Sequence, residues 1–311
     1  MKNYLFVIIF TFSCVLNAQI VFNVGGNNYY EAKLYLENGS IKEGLLLDFN
    51  DKKVVNFKPQ LIAEGFSSVE TRLGLTNKFY YFKSDKDSKD EKIDFSDIKK
   101  IERKEYRPGS DEAHTVTYEK IKLIMYDNQL NKDTEVPDFF APVQFTNGKI
   151  NVFSFLESTC YGKSISSCKI SGLHFYFKPV NGDFGIKPTN FTFGNFFTIS
   201  KLTDKYFLSF KLLGENCPEF LKYVEQEEAV KKESFQPEFV RLVKDIYAKK
   251  LTDTYLDEYK SQLKSTKKKM SKDDFEKFEG QLYQKYLDDS GELFYKTLFE
   301  EMLIRYMNTC E

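Results

Sequence analysis

The 311-residue sequence has no tryptophan, two histidines and five cysteines, and it carries almost no net charge. Each scarcity excludes something. Without Trp, the strongest aromatic platform for a cation or a sugar ring is missing. His114 and His174 lie far apart in sequence, and no H-E-x-x-H, G-x-S-x-G, Walker-type or dinucleotide-binding glycine pattern occurs. No catalytic residue and no cofactor is therefore assigned. With 45 basic against 46 acidic residues there is no electrostatic footprint for nucleic acid.

Long apolar runs are lacking too. A membrane-spanning helix needs roughly 20 apolar residues, and the longest candidate, Tyr4 to Leu16, has 13. Lys2, the short apolar segment and the small Ala18 before Gln19 instead fit a cleavable secretory signal. The expectation is export to the periplasm or beyond, with cleavage after Ala18 and no transmembrane segment in the mature chain. Cys14 is not favoured as a lipid-bearing cysteine. Thr11-Phe12-Ser13 lacks the Leu three positions before it, and the apolar Val15, Leu16, Ile20 and Val21 replace a polar tether.

Aromatics are what the chain has in abundance, with 31 Phe and 20 Tyr. Together with many Lys and Asn, this reads as codon bias rather than as a binding platform. In the front half, Tyr30, Ala32, Leu34 and Leu36 alternate with Glu31, Lys33 and Tyr35, the period of a half-buried strand. Asn38-Gly39 predicts a two-residue hairpin with positive φ at both positions. Return strands follow at Ile41 to Phe49, Val54 to Phe57, "KFYYFK" and "KIDFSDIKKIE", about five short strands suited to a small barrel or meander. "TVTYEKIKLIMY" reads as one long strand, and Asn147-Gly148 and Asn181-Gly182 mark further hairpins.

Near residue 213 the apolar period changes from that of strands to that of helices. Cys217-Pro218 opens a helix, because proline at the first turn removes an N–H that has no partner there. Pro237 starts another, with Phe239, Val240, Val243 and Ile246 on one face and a continuation towards Leu263. Ser271 and Asp274 approximate a capping box before a stripe of Phe275, Phe278, Leu282 and Tyr286. Asp288 to Gly291 reads as its stop, and Leu298, Met302, Leu303 and Tyr306 as the core of a last helix. These helices also rule out an outer-membrane barrel made of repeated alternating strands. The fold class expected is α+β: an antiparallel β-rich part (19–212, divisible into a small barrel at 19–110 and further strands at 111–212), then an α-helical domain at 213–311.

"YLENGSIKEGLLL", "IDFSDIKKI", "HFYFKPVNG" and "LGENCPEFLKYV", in that order, resemble uncharacterised exported proteins of Gram-negative bacteria. The resemblance covers scattered pieces between residues 30 and 250. It implies an envelope location and no known activity.

Two polar segments invite a sharper reading and are better read plainly. "SDKDSKDEK" offers Asp85, Asp87, Asp90 and Glu91, but it lacks the bending glycine of a calcium loop and interleaves lysines, so it reads as a hairpin tip. "STKKKMSK" reads as a solvated linker between helices, and no metal site is assigned. Four cysteines remain after signal cleavage: Cys160, Cys168, Cys217 and Cys310. An even number in an oxidising compartment favours disulfides, with Cys160–Cys168 first and Cys217–Cys310 second, against a reactive thiol at Cys217. The functional expectation is a non-catalytic envelope protein that binds or scaffolds another macromolecule, its partner a protein or other envelope component. The alternatives are a hydrolase whose Asp/Glu pair forms only in the fold, or a protein that binds a glycan or small ligand.

Overall fold

The computed structural model describes residues 21–23, 28–49, 75, 77–126, 129–133, 138–160, 168–188, 191–192, 201–266 and 269–310. The expected signal peptide, Cys14, the strand at Val54 to Phe57 and the loop joining Cys160 to Cys168 lie outside the described residues. The chain is α+β, with strands first and helices after. The strands are β1 (Val21–Asn23), β2 (Tyr29–Leu36), β3 (Ile41–Leu47), β4 (Phe79–Lys83), β5 (Glu91–Asp94), β6 (Ile98–Tyr106) and β7 (Ala113–Ile121). They continue with β8 (Leu123–Tyr126), β9 (Lys132–Asp133), β10 (Phe139–Thr146), β11 (Ile150–Cys160), β12 (Cys168–Pro179), β13 (Gly185–Ile186) and β14 (Phe191–Thr192).

β2 to β5 form an antiparallel meander, and β6 returns to pair with β2. "KIDFSDIKKIE", expected as one strand, is two: a short 3-10 turn at Phe95–Asp97 separates β5 from β6. β6 pairs with β7 along Lys100↔Glu119 to Tyr106↔Ala113, so one sheet runs straight through the boundary drawn at residue 110. β7, β10, β11 and β12 continue it antiparallel, and β13 joins β12 to β8. Only Lys122 separates β7 from β8, so the hydrogen-bonded path leaves this run and returns to it. "TVTYEKIKLIMY" is therefore a bent strand that closes a circuit rather than a straight one.

The Asn-Gly turns differ from the expected form. Gly39 has φ +83°, but Asn38 has no positive φ. The Gly39 N–H donates to the Leu36 carbonyl at 3.0 Å, which is a turn over Glu37 and Asn38 closed by one left-handed glycine. Asn38 contributes its side chain instead, accepting from the Ser40 N–H at 2.9 Å. Gly148 is also left-handed at φ +84°, whereas Gly182 is not.

The described helices are α1 (Leu202–Leu213), α2 (Pro218–Lys231), α3 (Phe235–Tyr247), α4 (Lys250–Thr266), α5 (Lys272–Leu298) and α6 (Glu300–Thr309). α1 begins eleven residues before the helical start read at 213 and ends on it. The continuation read towards Leu263 is broken at Lys249, whose φ is +56°, between α3 and α4. Ser271 caps α5 as expected, its hydroxyl accepting from the Asp274 N–H at 3.1 Å. Asp288 to Gly291 does not stop that helix, which runs on to Leu298. Ser290 and Gly291 face the core, Lys285 pairs with Asp289, and Gln284 donates to Asp288 one turn away. Small residues on the buried side and satisfied acids on the other keep the helix whole.

Strands β11 and β12 have two apolar faces, and each faces a different core. Phe153, Phe155 and Tyr176 join the interior shared with Leu34, Ile101, Tyr118 and Phe140. Val152, Leu156, Leu173, Phe175 and Phe177 meet α1, α2, α3, α5 and α6 in one hydrophobic cluster. The helices thus cover one face of the sheet and share its core.

Candidate functional site

The first two turns of α5 leave that core. Residues 272–277 are all exposed, and Gly280 is the first buried position. Here α5 packs against α4, and the two form an arm with a small core of its own. The Tyr259 and Phe278 rings stack at 3.7 Å, Phe275 meets Tyr259 at 5.9 Å, and the Tyr259 hydroxyl points at the Met270 sulfur. The stripe of Phe275, Phe278 and Leu282 read from the sequence as core thus belongs to the arm, while Tyr286 faces the sheet.

The base of the arm is held by the β6–β7 hairpin tip. Gly109 (φ +73°) and Gly280 bring two backbones into contact: a Cβ on Gly280 would lie 2.5 Å from the Gly109 nitrogen. Gln281 Nε2 donates to the Gly109 carbonyl at 3.2 Å, and Lys277 pairs with Asp111 at 2.7 Å.

Two adjoining clefts open along this seam. One, of about 270 Å³, is lined by Tyr255, Glu258, Tyr259, Gln262, Phe278, Gln281, Leu282 and Lys285. The other, of about 360 Å³, is lined by hairpin residues Arg107, Pro108 and Ser110 and by Gln281, Gln284, Lys285, Asp288 and Asp289 of α5. Gln281 and Lys285 border both. Lys285 spans them: its ammonium lies 4.7 Å from the Tyr255 ring centroid and 3.1 Å from Asp289. These contacts raise its pKa, the Asp289 hydrogen bond most.

Elsewhere Arg103 and His174 each form a polar centre buried within the fold. Arg103, on β6, is 3% exposed. Its Nε donates to Glu105 at 2.6 Å, Nη1 to Asp48 at 3.4 Å and Nη2 to the Tyr118 hydroxyl at 3.2 Å. The guanidinium also lies over the Phe49 and Tyr30 rings, 4.4 and 4.6 Å from their centroids. A buried cation is tolerable when paired, hydrogen-bonded and placed over π-faces. Burial pushes the Asp48 carboxyl above its usual range, with Arg103 pulling against it. The two carboxylates, of the kind the hydrolase alternative calls for, are both turned onto Arg103.

The second centre is His174 on β12, fully buried and stacked on Phe155 at 4.8 Å, with Nε2 3.6 Å from Glu157 Oε2. Gly172 makes room for the pair, since a Cβ there would lie 2.6 Å from His174 Nε2. The placement agrees with a packed sheet histidine. His114 is half-buried on β7, and desolvation lowers its pKa.

Cys217, the residue before α2, is disulfide-bonded to Cys310 after α6, with Cα atoms 5.6 Å apart. It is therefore not a reactive thiol in this state. Cys160 and Cys168 are register partners at the end of the β11–β12 ladder, and Cys168 is disulfide-bonded. Asp85, in the acidic segment, caps its own turn by accepting from the Asp87 and Ser88 N–H groups at 3.0 and 2.8 Å. Among the described residues, no three His, Cys, Asp or Glu side chains are grouped to hold a metal ion, and no helix is long and apolar enough to cross a membrane.

The cleft residues and Arg103 escaped sequence reasoning. Arg103 carried a signal in hindsight: alternation along β6 puts it on the same face as Ile101, which is buried. Comparison with known proteins adds nothing to the site, since no family model, curated protein or solved structure matches the chain.

Proposed function

We propose that the chain is an exported, non-catalytic protein of the cell envelope that binds or scaffolds another macromolecule through the α4–α5 arm. The observation that carries this reading is the pair of adjoining clefts on a projecting helical hairpin, with rings at one end and charged groups at the other. Tyr255, Phe275 and Met270 remain exposed there by 38%, 40% and 48%, a concentration of large apolar side chains at one place on the surface. The Cys217–Cys310 disulfide suits an oxidising compartment, in keeping with export. The hydrolase alternative is less favoured because the partly buried Asp48 and Glu105 neutralise Arg103, and the adjacent cleft acids Asp288 and Asp289 are held by Gln284 and Lys285.

Site-specific photocrosslinking tests the reading. A benzoylphenylalanine replaces Tyr255 in one strain and Val180, exposed on the remote β12 turn, in another, each in the full chain expressed in a Gram-negative envelope. A discrete adduct is expected from position 255 and none from position 180. No adduct at 255, or the same adducts at both positions, overturns the proposal.

A further inference from the structure

We infer that the clefts of the arm take a neutral oligosaccharide chain, an assignment that rests on the reading of the arm as the binding surface. The lining chemistry carries it. Small-molecule sites commonly occupy about 300–1,000 Å³. One lobe alone falls just short of that range at about 270 Å³ and the other sits near its bottom at about 360 Å³, and the two joined at Gln281 and Lys285 suit a ligand longer than one ring.

In the first lobe, Tyr255 is 38% exposed although Lys285 lies over one face, and the Tyr259–Phe278 stack stands beside it. Tyr259 is 7% exposed and spends its ring on Phe278, so the open face of Tyr255 is the flat apolar surface that matches the C–H face of a pyranose ring. Around these rings stand Glu258, Gln262 and Gln281, with Ser110 in the second lobe, where Gln284 is turned onto Asp288 and Asp289 onto Lys285. Primary amides donate and accept, carboxylates accept in pairs, and sugar hydroxyls do both. Glu258 accepts from Gln262 only at 3.5 Å, so neither is held tightly by the other.

The same chemistry argues against other occupants. Glu258, Asp288 and Asp289 offset Arg107 and Lys285, which disfavours a phosphate-rich chain. A protein hot spot seats its apolar anchors in fully desolvated pockets, whereas these clefts are open and rimmed by polar groups. A neutral, hydroxyl-rich ligand with apolar faces fits both lobes.

Saturation-transfer difference NMR on the full chain without its leader provides the test, with two neutral probes: a β-1,4-linked N-acetylhexosamine tetrasaccharide and a β-1,4-linked glucose tetrasaccharide. Transfer to ring C–H protons of at least one probe is expected. Tyr255→Phe should keep it, and Tyr255→Ala should weaken the apparent Kd at least tenfold with an unchanged circular dichroism spectrum. Gln262→Ala, an exposed change with little consequence for folding, should also weaken it. Absence of transfer from both probes, or transfer that neither Tyr255→Ala nor Gln262→Ala reduces, overturns the saccharide assignment. If the position-255 photoadduct proves to be a protein while both probes fail, the assignment falls and the arm still stands as a binding surface.

Discussion

A single residue, Arg103, organises the most polar part of the β-rich half. Its partners come from β7, from the residue after β3 and from β6 itself, so its charge ties three segments together. Breaking such a buried pair leaves an uncompensated charge and is strongly destabilising. Asp48 gives this centre a pH signature. Burial raises its folded pKa above the ordinary 3.8, so the native state binds that proton more tightly than the unfolded chain does. Its contribution to stability therefore grows as pH falls from above the raised value towards 3.8. Urea unfolding of wild type and Asp48→Asn across mildly acidic pH isolates the effect. Wild type should gain on the variant as pH drops, with a constant difference near neutrality. A gap that is flat in acid, or that moves the other way, would refute the assignment of Asp48.

Among elements, α5 is decisive because it belongs to two environments. Its C-terminal part lies on the sheet and its N-terminal part builds the arm, with Gly280 at the crossing. Helix propensity alone favours Gly280→Ala by about 1 kcal/mol. Packing predicts the opposite, since the new Cβ would meet the Gly109 nitrogen at 2.5 Å and its Cα at 2.7 Å, both backbone atoms. Overpacking of this kind costs roughly 1–3 kcal/mol. Gly280→Ala should therefore destabilise by ~1–2 kcal/mol in chemical denaturation and speed amide exchange at residues 107–110. A stabilised variant would show that the hairpin and helix separate easily. The capping of α5 by Ser271 was legible in the sequence because it needs only neighbours. That Phe275 and Phe278 face α4 was not, because a helical stripe shows that a face is covered without showing by what.

At the scale of the whole molecule, a disulfide ties the residue before α2 to the residue after α6 and closes the helical segment between them. Lys149, in the β10–β11 turn, reinforces it by donating to the carbonyls of Met307 and Cys310 at 2.9 and 2.7 Å. The sequence separation of 93 makes this a long loop, and chain entropy puts its stabilisation at about 4.7 kcal/mol. Cys310→Ser should lower the thermal midpoint by several degrees and make it insensitive to reductant at this bond. An unchanged midpoint would mean that α6 is held by Met302, Leu303 and Tyr306 alone.

The sequence by itself determined the α+β class, most of the strand positions, the proline-led start of α2 and the cap of α5. Each depends on residues within a few positions of one another, where alternation, capping and proline geometry act directly. Only the tertiary structure decided that "TVTYEKIKLIMY" bends at Lys122 to close a strand circuit, and that Arg103 is buried between Asp48 and Glu105. It also decided that Asp288 to Gly291 continues a helix and that the clefts lie between α4, α5 and a distant hairpin. These outcomes depend on what packs opposite each residue. Burial and charge pairing act between groups far apart in the chain, and no local period records them.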